Sequence, residues 1–161
     1  GIIKISPKKY RLCFSNGYTV EIPLRLLIKL QLSQSTVFDT ETYINLKSTI
    51  QFDIAETVIV NKLKARKHSE FELRSELTTR GIDENIIDSM IEKYKRLRYI
   101  DDADFARSYI SDKMRFNYQS LNRIKNELTQ KKIDSAIIEE SIAEIENSRS
   151  AGKNRSLRNY L

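Results

Sequence analysis

Shifted by 51 places, the chain matches itself. Residues 54–91 align without a gap against 105–142, and twelve of those thirty-eight pairs are identical. They are Ala55/Ala106, Ile59/Ile110, Lys62/Lys113, Ser69/Ser120, Glu76/Glu127, Leu77/Leu128, Thr78/Thr129, Ile82/Ile133, Asp83/Asp134, Ile86/Ile137, Ile87/Ile138 and Ile91/Ile142. A duplication at this period restricts the fold to stacked copies of one small unit. Each copy reads as three helices joined by turns of two or three residues. The core of the first copy falls on Ala55, Ile59, Leu63, Leu73, Leu77, Ile82, Ile86, Ile87 and Ile91.

Helix punctuation supports that unit. Ser69 with Glu72 spells a capping box. Ile82-Asp83 with Ile87, Ile100-Asp101 with Phe105, and Ile133-Asp134 with Ile138 each spell a hydrophobic staple around an Asp cap. Gly81 is the only glycine between residues 18 and 151, and no proline follows Pro23. Helices are predicted over 39–50, 53–66, 69–80, 83–97, 101–116, 119–131 and 134–147.

The N-terminus reads as β. Asn16-Gly17 predicts a two-residue hairpin turn. Tyr10, Leu12 and Phe14 before it and Tyr18, Val20 and Ile22 after it alternate, so all six are assigned to one sheet face. Ile3 and Ile5 offer a third short strand. Pro23 suits the first position of a helix that presents Leu24, Leu27 and Ile28. The fold expected is mainly α: tandem three-helix repeats in an elongated arrangement behind a β-hairpin and helix module. The divisions are 1–52 for that module, 53–98 and 99–149 for the repeats, and 150–161 for a tail or the start of a truncated third repeat.

Composition then excludes function classes. The longest apolar runs are three residues, Leu26-Leu27-Ile28 and Val58-Ile59-Val60, too short for a membrane helix or a signal sequence. Cys13 is the only cysteine, which excludes an internal disulfide and fits a cytoplasmic setting. The first residue is Gly rather than Met, so a processed or redesigned N-terminus is expected. His68 is the only histidine and is read as a solvated turn residue. No phosphate loop, nucleophile elbow or His-x-Glu pattern occurs. Asp101, Asp102 and Asp104 are assigned to capping a helix rather than to a metal. Neither catalytic residues nor a cofactor nor a metal is expected, and the chain is read as a monomer and not as an enzyme.

Charge is the remaining lead. The net charge is +6, yet the acidic and basic groups of the two repeats nearly cancel. Their basic groups recur in register: Lys62, Lys64, Arg74 and Arg80 match Lys113, Arg115, Lys125 and Lys131. With Arg66 and Arg123 they form a candidate face for an acidic protein surface or DNA phosphate. The competing reading is a solvated face that also packs successive helices. Tyr94, Tyr99, Phe105 and Tyr109 fall at core-compatible spacing. Phe116 and Tyr118 suit either a partner contact or a plug between helices.

The string Leu97-Arg98-Tyr99-Ile100-Asp101-Asp102-Ala103-Asp104-Phe105-Ala106-Arg107-Ser108-Tyr109-Ile110 resembles the central signature of the RecX family, L-x-Y-I-D-D-x-x-F-A-x-x-Y-I. Ser69 to Leu77 with Arg80-Gly81-Ile82 resembles its first helical repeat, and Arg123 to Leu128 with Lys132-Ile133 its second. Ile3 to Ser6 and the Asn16-Gly17 hairpin resemble the N-terminal extension of some members. The resemblance implies a regulator of the RecA recombinase. Such a protein binds the groove of the RecA nucleoprotein filament and inhibits ATPase, strand exchange and filament growth, in recombination, DNA repair and the SOS response. Weak contact with single- or double-stranded DNA is also implied. A stand-alone DNA-binding protein built of helix-turn-helix-like units is the alternative. Arg98 and Lys132 stand where the family often has Gly, so those helix ends are expected to terminate differently.

Overall fold

The computed structural model describes residues 1–15, 17–33, 39–116 and 119–157; for residues 40, 116 and 149–157 it describes the backbone alone. Asn16, Tyr118 and the side chain of Phe116, which figured above, lie outside the described residues, as do 158–161 of the proposed tail. The elements are β1 (Ile2–Ser6), β2 (Lys9–Cys13), β3 (Thr19–Pro23), α1 (Leu24–Lys29), α2 (Thr40–Ala65), α3 (Glu70–Thr79), α4 (Glu84–Arg96), α5 (Asp102–Phe116), α6 (Leu121–Gln130) and α7 (Ser135–Leu157). They form two compact units, Gly1–Glu56 and Thr57–Leu161.

In the first unit, three antiparallel strands run in the order β1-β2-β3. Tyr10 pairs with Ile22, Leu12 with Val20 and Cys13 with Thr19. That register leaves three residues between Phe14 and Tyr18, where a two-residue turn was expected. A two-residue turn would have paired residues of opposite faces, so the apolar alternation itself requires the longer loop. Gly17 supplies the positive φ of 85° that such a loop uses. Leu12 and Ile22 are buried with Leu26 of α1 and Leu46 and Ile50 of α2, and Ile2, Tyr10, Phe14 and Val20 pack against them. Tyr18, assigned to the apolar face, is exposed at the strand end. Ile3 and Ile5 lie on the expected third strand, β1, and are exposed, while Ile2 joins the core. Pro23 closes β3 as the N-cap of α1 rather than opening the helix. Six residues make less than two turns, so α1 buries Leu26 and leaves Ile28 exposed.

The predicted helices 39–50 and 53–66 are one helix, α2, of 26 residues. Nothing between residues 50 and 53 breaks a helix, and Leu46, Ile50 and Ile54 on either side join the same cluster. Helix α7 likewise runs past the predicted end at 147, through residues first assigned to a tail.

In the second unit the duplicated core is buried at both copies. Ile59, Leu73, Leu77, Ile86, Ile87 and Ile91 are at most 2% exposed. Phe105, Ala106, Ile110, Ile124, Leu128, Ile133, Ile138 and Ile142 form the matching cluster in the second repeat. Leu63, assigned to the core, is only half-buried.

The helix ends correct a sequence expectation. Gly81, Arg98 and Lys132 all adopt positive φ, at 73°, 57° and 58°. After each, the same bonds close the helix. Ile82 N–H donates to Leu77, Tyr99 to Tyr94 and Ile133 to Leu128, while Gly81, Arg98 and Lys132 donate three residues back. These are Schellman motifs, and the buried Ile82 and Ile133 supply the usual apolar contact. The larger side chains do not change the termination; they make it more expensive. Left-handed geometry costs a non-glycine residue about 1–2 kcal/mol, partly offset by the greater freedom of unfolded Gly. Lys132→Gly is therefore expected to stabilise the protein by about 1 kcal/mol in urea titration. Gly81→Ala should lose a similar amount through φ alone, since no atom lies within 4 Å of an added Cβ.

Candidate functional site

The ten basic positions singled out by the sequence are mostly engaged in ion pairs. Lys62 meets Glu76 at 2.9 Å, and its repeat partner Lys113 meets Glu127 at 3.5 Å. Arg74 reaches Asp88 at 2.6 Å, and its repeat partner Lys125 reaches Glu139 at 2.7 Å. In each case the acids are also 51 residues apart, so the duplication copied whole ion pairs between neighbouring helices. Arg74 also meets Glu70 at 2.7 Å, Arg80 meets Glu76 at 2.7 Å, and Arg123 meets Glu127 at 3.2 Å. Lys64 is exposed and makes no ion pair among the described residues; Arg115 is exposed near the end of α5. The basic positions are thus distributed over several ion pairs within and between helices.

What the structure brings together instead is a polar joint between the repeats. Its centre is Glu72 on α3. Arg66 donates to both carboxylate oxygens, at 3.0 and 3.3 Å, and Lys131 from the second repeat donates to Oε1. His68 Nδ1 lies 3.0 Å from Oε2. Burial pushes the Glu72 carboxyl up, but bonds from Arg66 and Lys131 outweigh it and hold it down at about 2. The expected capping box is half formed. Ser69 Oγ accepts from Glu72 N–H at 3.2 Å, while the Glu72 side chain turns to the joint.

His68 is a correction. It is 7% exposed rather than solvated. Burial and the Arg66 charge lower its pKa against the pull of Glu72. Tyr109, read as core, is half-buried and donates to Glu127 Oε2 at 2.6 Å. Burial and that bond push its hydroxyl pKa up to about 12. Its ring lies under Lys113 and Lys131, 5.2 and 5.7 Å from the ammonium groups.

The Asp cluster holds the same joint. Asp101 caps α5 by accepting from Asp104 N–H at 2.9 Å. Asp102 accepts from Glu70 N–H at 2.9 Å, so a residue of the second repeat caps a helix of the first. Burial raises the Asp102 pKa. Asp104 pairs with Lys67, whose ammonium also donates to Ser108 Oγ at 3.0 Å. Beside these contacts lies a groove of about 690 Å³ lined by Arg66, Lys67, Arg107, Tyr109, Lys131 and Ile145 among others. The sequence signal for this joint was weak: Glu72 was visible only as a capping residue, and Lys67 and Arg107 belonged to no repeated pattern.

Among the described residues no helix is long and apolar enough to cross a membrane, and no group of three His, Cys, Asp or Glu side chains gathers as for a metal ion.

Comparison with known proteins agrees with this architecture. The model of the RecX second three-helix domain matches residues 101–142, which lie in the second repeat. The regulatory protein RecX of Finegoldia magna is 32% identical over 117 residues, covering 73% of this chain and 57% of that protein. RecX of Streptococcus pneumoniae strain Hungary19A-6 is 26% identical over 163 residues, covering 99% of this chain and 63% of that protein. The chain therefore spans less than two thirds of these curated relatives. A crystal structure of regulatory protein RecX superposes with a TM-score of 0.59 at 18% identity, over 90% of this chain and 72% of that one, a likeness of fold. RecX from Lactobacillus salivarius gives 0.55 at 26% identity, over 58% and 60%. The duplication, the signature string on the α4–α5 turn and α5, and these likenesses agree: the chain belongs to the RecX family of regulatory proteins.

Proposed function

We propose that the chain is a non-enzymatic regulator that binds the RecA–DNA filament groove in the cytoplasm and lowers RecA ATPase, strand exchange and filament growth. The observation that carries the reading is the signature from Leu97 to Ile110, set at the joint of two duplicated three-helix repeats. Two copies of one unit suit a target that repeats, because a second weak contact becomes intramolecular once the first is made. The contact to RecA is assigned to the exposed parts of the basic repeat face, with Lys64 foremost. The pairing of most of that face with acids of the same chain argues against the alternative of a stand-alone DNA reader built on those helices. An unpaired cation track would be needed there.

The test is RecA's DNA-dependent ATPase titrated with this chain. The rate is expected to fall with rising concentration, and Lys64→Glu to shift the titration to higher concentration with an unchanged circular dichroism spectrum. A rate unchanged at saturation overturns the reading.

A further inference from the structure

We propose that the open edge of the N-terminal sheet, strand β1, takes up an extended acidic segment of a protein partner, which adds to the sheet as a further strand. In the order β1-β2-β3, β1 has a strand on one side only, and helix α1 packs against β2 and β3. Cys13 N–H donates to Gly1 C=O at 2.7 Å, and Ile3 stands opposite Arg11. Bonded and non-bonded pairs alternate along an antiparallel ladder. Gly1 and Ile3 therefore turn their backbone groups towards β2, and Ile2 and Lys4 turn theirs outward. Outside the sheet ladder, nothing among the described residues bonds to those outward groups.

Charge says what this edge accepts. Residues 1–33 carry six lysines and arginines and a single acid, Glu21. Lys9 and Arg11 both address Glu21. Lys4 and Lys8 are exposed and make no ion pair among the described residues. A second β1 would bring no acid to Lys4, only isoleucine, serine or another lysine. Lysine on an edge strand resists pairing with such a copy. The same lysine favours a strand that sets a carboxylate opposite it.

The side chains set the order of residues in the partner. Ile3 is 55% exposed, and Ile2 beside it joins the core only in part. An antiparallel segment therefore places an acid opposite Lys4, then apolar residues opposite Ile3 and Ile2. Its acid exchanges backbone bonds with Lys4, and its second apolar residue does so with Ile2. The first apolar residue turns its own N–H away from β1 and covers Ile3. Backbone bonds supply the attraction in such strand addition, and the alternating side chains supply the selectivity.

This contact belongs to the first unit, and its test contains no RecA, so its failure leaves the filament reading standing. The experiment titrates the isotope-labelled full chain with the end-capped peptide Thr-Val-Glu-Val-Val-Thr and follows the backbone amides by NMR. The amides of Ile2 and Lys4 are expected to shift and to gain protection from hydrogen exchange. Methylating the backbone nitrogens of the peptide's Glu and of the second Val after it should weaken binding about tenfold or more. Methylating the Val directly after the Glu should change it by less than about twofold, since that N–H faces away from β1. Lys in place of the peptide's Glu should weaken binding about fivefold, and Lys4→Glu should reverse that preference. No shift at Ile2 and Lys4 with the peptide in millimolar excess overturns the proposal. So do equal affinities of the differently methylated peptides, or of the Glu and Lys peptides. Protection of those amides that rises with the chain's own concentration, without peptide, also overturns it and assigns the edge to a second copy.

Discussion

Glu72→Ala is expected to destabilise the protein by about 2 kcal/mol and to lessen its sensitivity to acid below pH 4.5. Glu72 is the one carboxylate that Arg66, His68 and Lys131 all address, and its side chain is 15% exposed. A carboxyl held at about 2 against an ordinary 4.5 corresponds to roughly 3 kcal/mol of preference for the charged form in the folded state. The exposure of Arg66 and Lys131 to solvent reduces that to about 2. The sign follows from linkage. The folded pKa lies below the unfolded one, so the stabilisation is present above pH 4.5 and is lost as pH falls from there towards 2. Urea titrations at pH 7, 4 and 2.5 measure it. The parent should lose stability steadily along that series, and the variant should lose less. Parallel curves would mean that other carboxylates carry the acid limb. A double-mutant cycle with Lys131→Ala should return a coupling of at least 0.5 kcal/mol, as for residues in one ion-pair network.

Leu128→Ala should cost about 3 kcal/mol. Leu128 is fully buried in the second repeat and its side chain packs in the cluster with Ile124, Ile133 and Ile138. Truncation loses the transfer energy of the removed atoms and leaves a cavity that the surrounding helices fill only in part. Leu77→Ala at the equivalent position should cost a similar amount, because the duplicated core is equally dry there. Leu97→Ala is the control. Leu97 is 54% exposed, so the same chemical change should stay within about 0.5 kcal/mol. Chemical denaturation followed by circular dichroism separates the three. A Leu128→Ala loss below 1 kcal/mol would contradict the packing described.

The basic face shows why a charge pattern is a poor guide to a binding surface. Lys62 and Lys113 recur 51 residues apart, and so do their partners Glu76 and Glu127. In one dimension the bases stand out on α2 and α5 and the acids on α3 and α6, as if each had its own role. In three dimensions they neutralise each other. Conversely, Tyr99 at core spacing is 65% exposed, and no periodicity rule carries that information. His68 was misread for a related reason. A turn residue is ordinarily solvated, but this turn is covered within the second unit.

Local chemistry determined the helical repeats, their caps and turns, the sheet at the N-terminus and the family, because hydrophobic period, capping residues and the duplication are all written along the chain. Tertiary structure alone decided the rest. It joined two predicted helices into α2 and paired the repeated bases with the repeated acids. It also built the joint around Glu72 from residues up to 59 positions apart. Those outcomes depend on which faces meet across long sequence separations, where burial strengthens a charge pair and excludes water. Spacing along the chain does not specify that geometry.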